Sequence, residues 1–380
     1  MAEGAVLPGP LTEPVFTGRS LWADAGARLV RNRAAVTGMI LLGLIAVACL
    51  FGPALTGHPY DTVYPDYVRV PASLSAYPPD DQIAPAVERI SSRVRARASE
   101  VTVDGDTARV TLTSTTSRPI DERLLAYFER SDLFGPASVV ERADEGRQLV
   151  VDVPVERRHF FFGTDPNGRD LLTRTLIAGR VSLAIGLLAT FVAIVIGVLY
   201  GAASGYLGGR VDLLMMRVVD VLYSLPFMFF VIMLVVFFGR NFILMFIAVG
   251  AVEWLDMARI VRGQTLSIKR QEFVQAAEAL GVGTNGILKR HVIPNTLGPV
   301  VVYMTLLVPK VILLESFLSF LGLGVQEPMT SWGVLISEGA RNIQGSTWML
   351  IFPSIFLVAT LFCLNFIGDG LRDALDPKDR

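Results

Sequence analysis

Glu272-Phe273-Val274-Gln275-Ala276-Ala277-Glu278-Ala279-Leu280-Gly281, followed by Lys289-Arg290-His291-Val292-Ile293-Pro294, is a short polar hairpin set between long apolar runs. Phe273, Ala276, Ala277 and Leu280 recur at i, i+3, i+4 and i+7, which is one face of a short helix. Gly281 ends it, because a glycine just past the last periodic residue takes the left-handed conformation that closes a helix. Pro294, which has no backbone donor, starts the next element. The apolar face is narrow and rich in alanine, so a foreign groove can approach it, while Lys269, Arg270, Lys289 and Arg290 keep the hairpin in water. The pattern reads as a helix-in-groove docking element. Spacing alone leaves open a solvated loop packed on its own protein.

The same stretch contains a false lead. Gly281-Val282-Gly283-Thr284-Asn285-Gly286 spells G-x-G-x-x-G, but that fingerprint requires a strand before it and a helix starting within it. Here a helix precedes it. Ile287-Leu288 stands where a Walker loop needs Lys-Ser/Thr, so the chain shows no nucleotide site of its own.

With 380 residues, 52% of them hydrophobic, 18% charged and a mean hydropathy of +0.50, the chain is too apolar for a soluble globular protein and belongs in a bilayer. A net charge of -1 argues against a nucleic-acid partner, and His58, His159 and His291 are too scattered for a metal cluster. Cys49 and Cys363 lie in apolar runs, where a thiol packs as a small hydrophobe. No nucleophile or acid pair marks an enzyme.

Residues 1–33 form a cytoplasmic tail by the positive-inside rule, with an amphipathic segment at Ser20-Leu21-Trp22, and 34–55 is the first span. Further spans are expected at Val181–Gly209, Val218–Gly239, Phe242–Arg259, Leu297–Phe320 and Trp348–Ile367, six in all, with an outer turn at Arg240-Asn241. The core is 181–369, its hairpin 270–294, and 370–380 is a second cytoplasmic tail. Residues 159–180 read as an outer amphipathic segment, although Arg169, Arg174 and Arg180 offend the charge rule there.

Between spans one and two, residues 64–158 change to soluble composition. The patterns predict a small α+β domain: a helix near 81–98, a hairpin turning at Asp104-Gly105-Asp106, a helix near 120–130, and strands around 137–142 and 148–153. Tethered on the outer side between spans one and two, it is expected to contact an external partner or cover the outer mouth.

Gln275-Ala276-Ala277, three residues, Gly281, nine residues and His291-Val292-Ile293-Pro294 resemble the coupling loop of binding-protein-dependent ABC importer permeases, with Gln275 where a glutamate is usual. Residues 18–57 and 159–380 are similar to the C-type permease of the oligopeptide/dipeptide/nickel group. Phe162-Gly163-Thr164-Asp165 with Gly168-Arg169-Asp170-Leu171-Leu172, Trp254–Gln264, Leu314–Gly324 and Asn365–Pro377 carry that likeness. The resemblance implies an all-α polytopic membrane protein of the type I importer class in a bacterial inner membrane, pairing with a second permease, two ATPases and a periplasmic peptide-binding protein. ATP and Mg would be held by the ATPases and no cofactor by this chain. Oligopeptide is the implied solute, with dipeptides, nickel or another small solute as the alternative. Glu272, Phe273, Gln275, Ala276, Ala277, Leu280, Gly281 and Pro294 would form the coupling surface. Departures are Gln275, Glu253, Lys310 and the domain at 64–158, where a shorter connection is usual.

Glu315 and Lys310 lie inside an expected span, and an intramembrane ionisable residue marks either a pathway or a specific pairing. Five residues apart on a helix, they are poorly placed to pair with each other. A passive channel remains the competing class, but it needs no docking hairpin.

Overall fold

The computed structural model describes residues 21–239 and 242–375. Most of the first tail, the turn at Arg240-Asn241 and the last five residues lie outside them. Helix α1 (Leu21–Arg31) leads into α2 (Arg33–Leu55), which Asn32 caps by accepting from the backbone of Ala34 and Ala35. A separate unit then holds α3 (Asp80–Arg93), strands β1 (Ala96–Asp104) and β2 (Thr107–Ser114), α4 (Ala126–Glu129), β3 (Ser138–Ala143) and β4 (Gln148–Pro154).

That unit packs helices on one sheet. The sheet is antiparallel in the order β1-β2-β4-β3, and Gly105 turns the first hairpin with φ +57°. Helix α3 packs Ile83, Ala86, Val87 and Ile90 into a core with Val110, Leu112, Val151 and Val153. The helix expected to run to 98 stops at Arg93, because Ala96–Ala98 pair with β2 as strand.

The remaining helices are α5 (Leu171–Leu207), α6 (Gly209–Ser224), α7 (Phe227–Phe238), α8 (Phe242–Ile268), α9 (Glu272–Ala279), α10 (Thr284–Ile287), α11 (Ile293–Phe320), α12 (Trp332–Arg341) and α13 (Trp348–Leu375). Among the described residues four helices are long and apolar enough to cross a membrane, or five if α6 and α7, bent by 84° at their junction, count as one. Helix α8, with Glu253, Asp256, Arg259 and Arg262, is not among them.

Two expectations change here. The boundary at 180/181 falls inside one continuous helix, since Leu171–Leu207 has no break and Asp170 caps its start by accepting from Thr173. The third expected span is not one helix, because Pro226 interrupts the ladder between α6 and α7. Helix α12 was not foreseen from the sequence. Its Trp332 is fully buried and donates from Nε1 to the Thr175 carbonyl at 3.0 Å.

Helices α5 and α8 approach closely along Gly197, Gly201 and Gly205, where a Cβ at Gly201 would lie 2.4 Å from the Ala258 carbonyl oxygen. Small residues four apart allow such backbone contact between membrane helices.

Candidate functional site

The hairpin folds as two short helices. Gly281, with φ +76°, ends α9, and its N–H donates to the Glu278 carbonyl at 3.0 Å. Helix α10 then passes through a π turn at Leu288–Val292 into α11, with Pro294 in the first turn. Pro294 therefore sits within a continuous helical path instead of opening a separate element. Helix α9, not a strand, leads into Gly281, so the G-x-G-x-x-G string has no βαβ setting.

Helix α9 is anchored by one face and open on another. Val274 and Ala277 are buried with Val198, Met257, Val261, Ile287 and Val292. Phe273, Gln275 and Ala276 are exposed, as is Leu280 at 84%. Of the apolar stripe read from the sequence, only Ala277 turns inward, and Val274 takes the anchoring position that spacing did not single out. Tyr206 of α5 donates to Glu278 at 2.8 Å, and Lys269 donates to the Tyr206 carbonyl at 2.6 Å, so the hairpin is tied to α5 as well as α8.

The two intramembrane charges part company. Lys310 of α11, half-exposed, donates to Glu253 at 2.7 Å and to Asp256 at 3.2 Å across to α8. Below it, Arg259 pairs with Asp220 at 2.9 Å and lies over the Tyr223 ring, so a polar strip crosses α11, α8 and α6. Glu315 is 0% exposed, accepting from Ser319 at 2.6 Å and Ser182 at 3.3 Å, with Ser331 beside Ser319 at 3.4 Å. It joins α5, α11 and the cap of α12.

The arginines of 159–180 are matched within the fold. Asp165, fully buried, accepts from Arg169 at 2.7 Å and Arg174 at 2.5 Å, and the same arginines reach Glu327 and Glu338 at 3.0 Å. Arg180 donates to the carbonyls of Cys49 and Leu50. Burial pushes the Asp170 carboxyl above the ordinary aspartate range, against the bonds it accepts from Thr173.

Residues 168–380 match the family described as binding-protein-dependent transport system inner membrane component, and residues 20–83 match the N-terminal TM domain of oligopeptide transport permease C. The chain belongs to the binding-protein-dependent transport system inner membrane component family. It is a multi-pass, mostly helical membrane permease, a component of transport and not an enzyme. It is 64% identical to the oligopeptide transport system permease protein OppC of Salmonella typhimurium and 47% identical to that of Escherichia coli K12, each match covering 96% of this chain and 93% of the relative. The Haemophilus influenzae OppC is 61% identical over 62% of this chain and 76% of its own length. The Salmonella and Escherichia coli matches run over nearly the whole chain, residues 64–158 included, whereas the Haemophilus match spans little more than three fifths of it.

Proposed function

We propose that this permease takes up oligopeptides delivered by a periplasmic binding protein, driven by partner ATPases that dock on the hairpin at 270–294. The observation that carries the reading is helix α9 itself, apolar on an exposed face at Phe273, Ala276 and Leu280 and anchored on the other by Val274 and Ala277. A groove in one ATPase would take Phe273, Gln275, Ala276 and Leu280, with Glu272, Gly281 and Pro294 fixing the shape of the loop. ATP and Mg would reside in those ATPases. A second, similar permease would complete the path, with α8 as the sixth span, both termini cytoplasmic and the α+β unit outside. The likeness to OppC proteins over nearly the whole chain favours oligopeptide over another small solute.

The mechanism is alternating access. Closure of the ATPases displaces α9, and the contacts of Val274, Ala277, Glu278 and Lys269 carry the displacement into α5, α8 and α11. Lys310, half-exposed, and Asp256, partly exposed, on spans where facing lipid would be costly, line the path. Glu315, enclosed by serines, stands behind that wall and fixes its helices.

The test is purification of the assembled complex from its native membrane. Co-purified ATPases, stimulated by oligopeptide with binding protein and uncoupled by Leu280→Asp, are expected. A chain that purifies alone, or ATPase activity indifferent to Leu280→Asp, would overturn the docking.

A further inference from the structure

A cavity of about 290 Å³ opens in the α+β unit, lined by Asp66, Arg89, Arg93, Tyr127, Arg130 and Ser131. Arg89 and Arg93 lie one turn apart on the exposed side of α3, where like charges repel. Arg130 follows α4, its guanidinium 4.9 Å from the centre of the Tyr127 ring. Among the described residues none of the three arginines forms an ion pair. Asp66, the one carboxylate on the wall, has its Oδ2 taken by the Ser131 hydroxyl at 2.7 Å and the Asp132 N–H at 3.0 Å. Other arginines of the unit do find carboxylates: Arg109 with Asp152, Arg142 with Glu122, Arg147 with Asp144 and Arg157 with Asp80. Three guanidinium groups against the one wall carboxylate leave this concavity positively charged.

We propose that this arginine-lined cavity is a docking pocket for an acidic side chain of the binding protein that delivers the solute. Guanidinium groups present paired donors that match a carboxylate, and Arg130 is already set by stacking on Tyr127. The volume suits a carboxylate-bearing side chain and is too small for an oligopeptide. The wall residue Asp66 also belongs to a segment tied to the helical part of the chain. Asp66 lies in the segment that continues to Arg69, which donates to Asn342 just after α12, and to Val70, which is bonded to Thr164.

The inference rests on the proposed function, because it needs a delivery protein. The test uses the whole complex in lipid nanodiscs and measures binding of the purified binding protein, wild type against Arg89→Gln/Arg93→Gln, with Arg130→Gln as a second variant. All three side chains are exposed, so folding is not at risk. Loss of charge-assisted bonds is expected to weaken docking by about tenfold or more and to flatten its salt dependence. ATPase activity without binding protein should stay unchanged. Unaltered docking in both variants overturns the pocket, whereas failure of the wild type to bind any delivery protein overturns the proposed function instead. A third arm titrates free peptide, with carboxylate or amide C-terminus, onto the complex alone. If the variants lose only carboxylate-dependent peptide binding, the site serves the solute and the proposal is wrong.

Discussion

Lys310 of α11 reaches Glu253 of α8 at 2.7 Å, across two helices that the sequence separates by 57 positions. Glu253 is buried, so removing the ammonium strands a carboxylate in the interior. Lys310→Met is expected to destabilise the complex by roughly 1.5–3 kcal/mol, the usual worth of a hydrogen bond to a charged group. Lys310→Met with Glu253→Gln should recover most of the loss. Thermal unfolding of the three purified forms measures this coupling.

Glu315 makes its bonds to hydroxyls, with no cation among its described partners. Glu315→Gln keeps shape and hydrogen bonding and should leave both stability and transport near the wild type. Glu315→Ala leaves Ser182 and Ser319 without their acceptor and should cost about 1–3 kcal/mol. A transport defect in Glu315→Gln at unchanged stability would instead give Glu315 a direct role in the path.

Asp165 is the anion that two buried arginines share. Asp165→Asn leaves Arg174 with Glu338 alone and should destabilise by about 3–5 kcal/mol, the cost of breaking a buried pair. The expected readout is loss of assembled permease, followed by quantitative blotting of membranes.

At Gly281 a side chain meets no neighbour, but φ is +76°. Gly281→Ala should therefore cost only about 1–2 kcal/mol of local strain. The re-aimed α9 should lower transport more than assembly, as uptake and co-purification of ATPases in the same preparation would reveal. Parallel loss of both would point to unfolding of the hairpin.

Burial raises the Asp132 carboxyl above the ordinary aspartate range, and the facing Asp66 charge adds to this, against a backbone bond from Asp66. The folded unit then holds that proton more tightly than the unfolded chain. Its contribution is full below the unfolded aspartate value and is lost as pH rises through the folded one. Hydrogen exchange across 64–158 should therefore speed up over that window, and Asp132→Asn should remove the dependence.

Much of the organisation was legible in local pattern. Apolar runs marked α2, α11 and α13, Asp104-Gly105 marked the hairpin, and Gly281 marked the end of α9. These features depend on neighbours in sequence, through hydropathy, turn chemistry and capping. The bend at Pro226 and the continuation of α5 through Arg174 and Arg180 were harder to read, because a charged residue inside a helix looks like a boundary until its partner is known.

The sequence by itself determined a polytopic helical membrane chain with a segment of soluble composition and a glycine-ended polar hairpin, since composition and periodicity act within a few turns of chain. Tertiary structure decided which face of α9 is free, that Val274 anchors it, that Lys310 answers Glu253, and that Glu315 is enclosed. It also brought Arg89, Arg93 and Arg130 around one cavity. Charge pairing and burial depend on distance in space, and residues 57 or 164 positions apart acquire that proximity only when the helices pack.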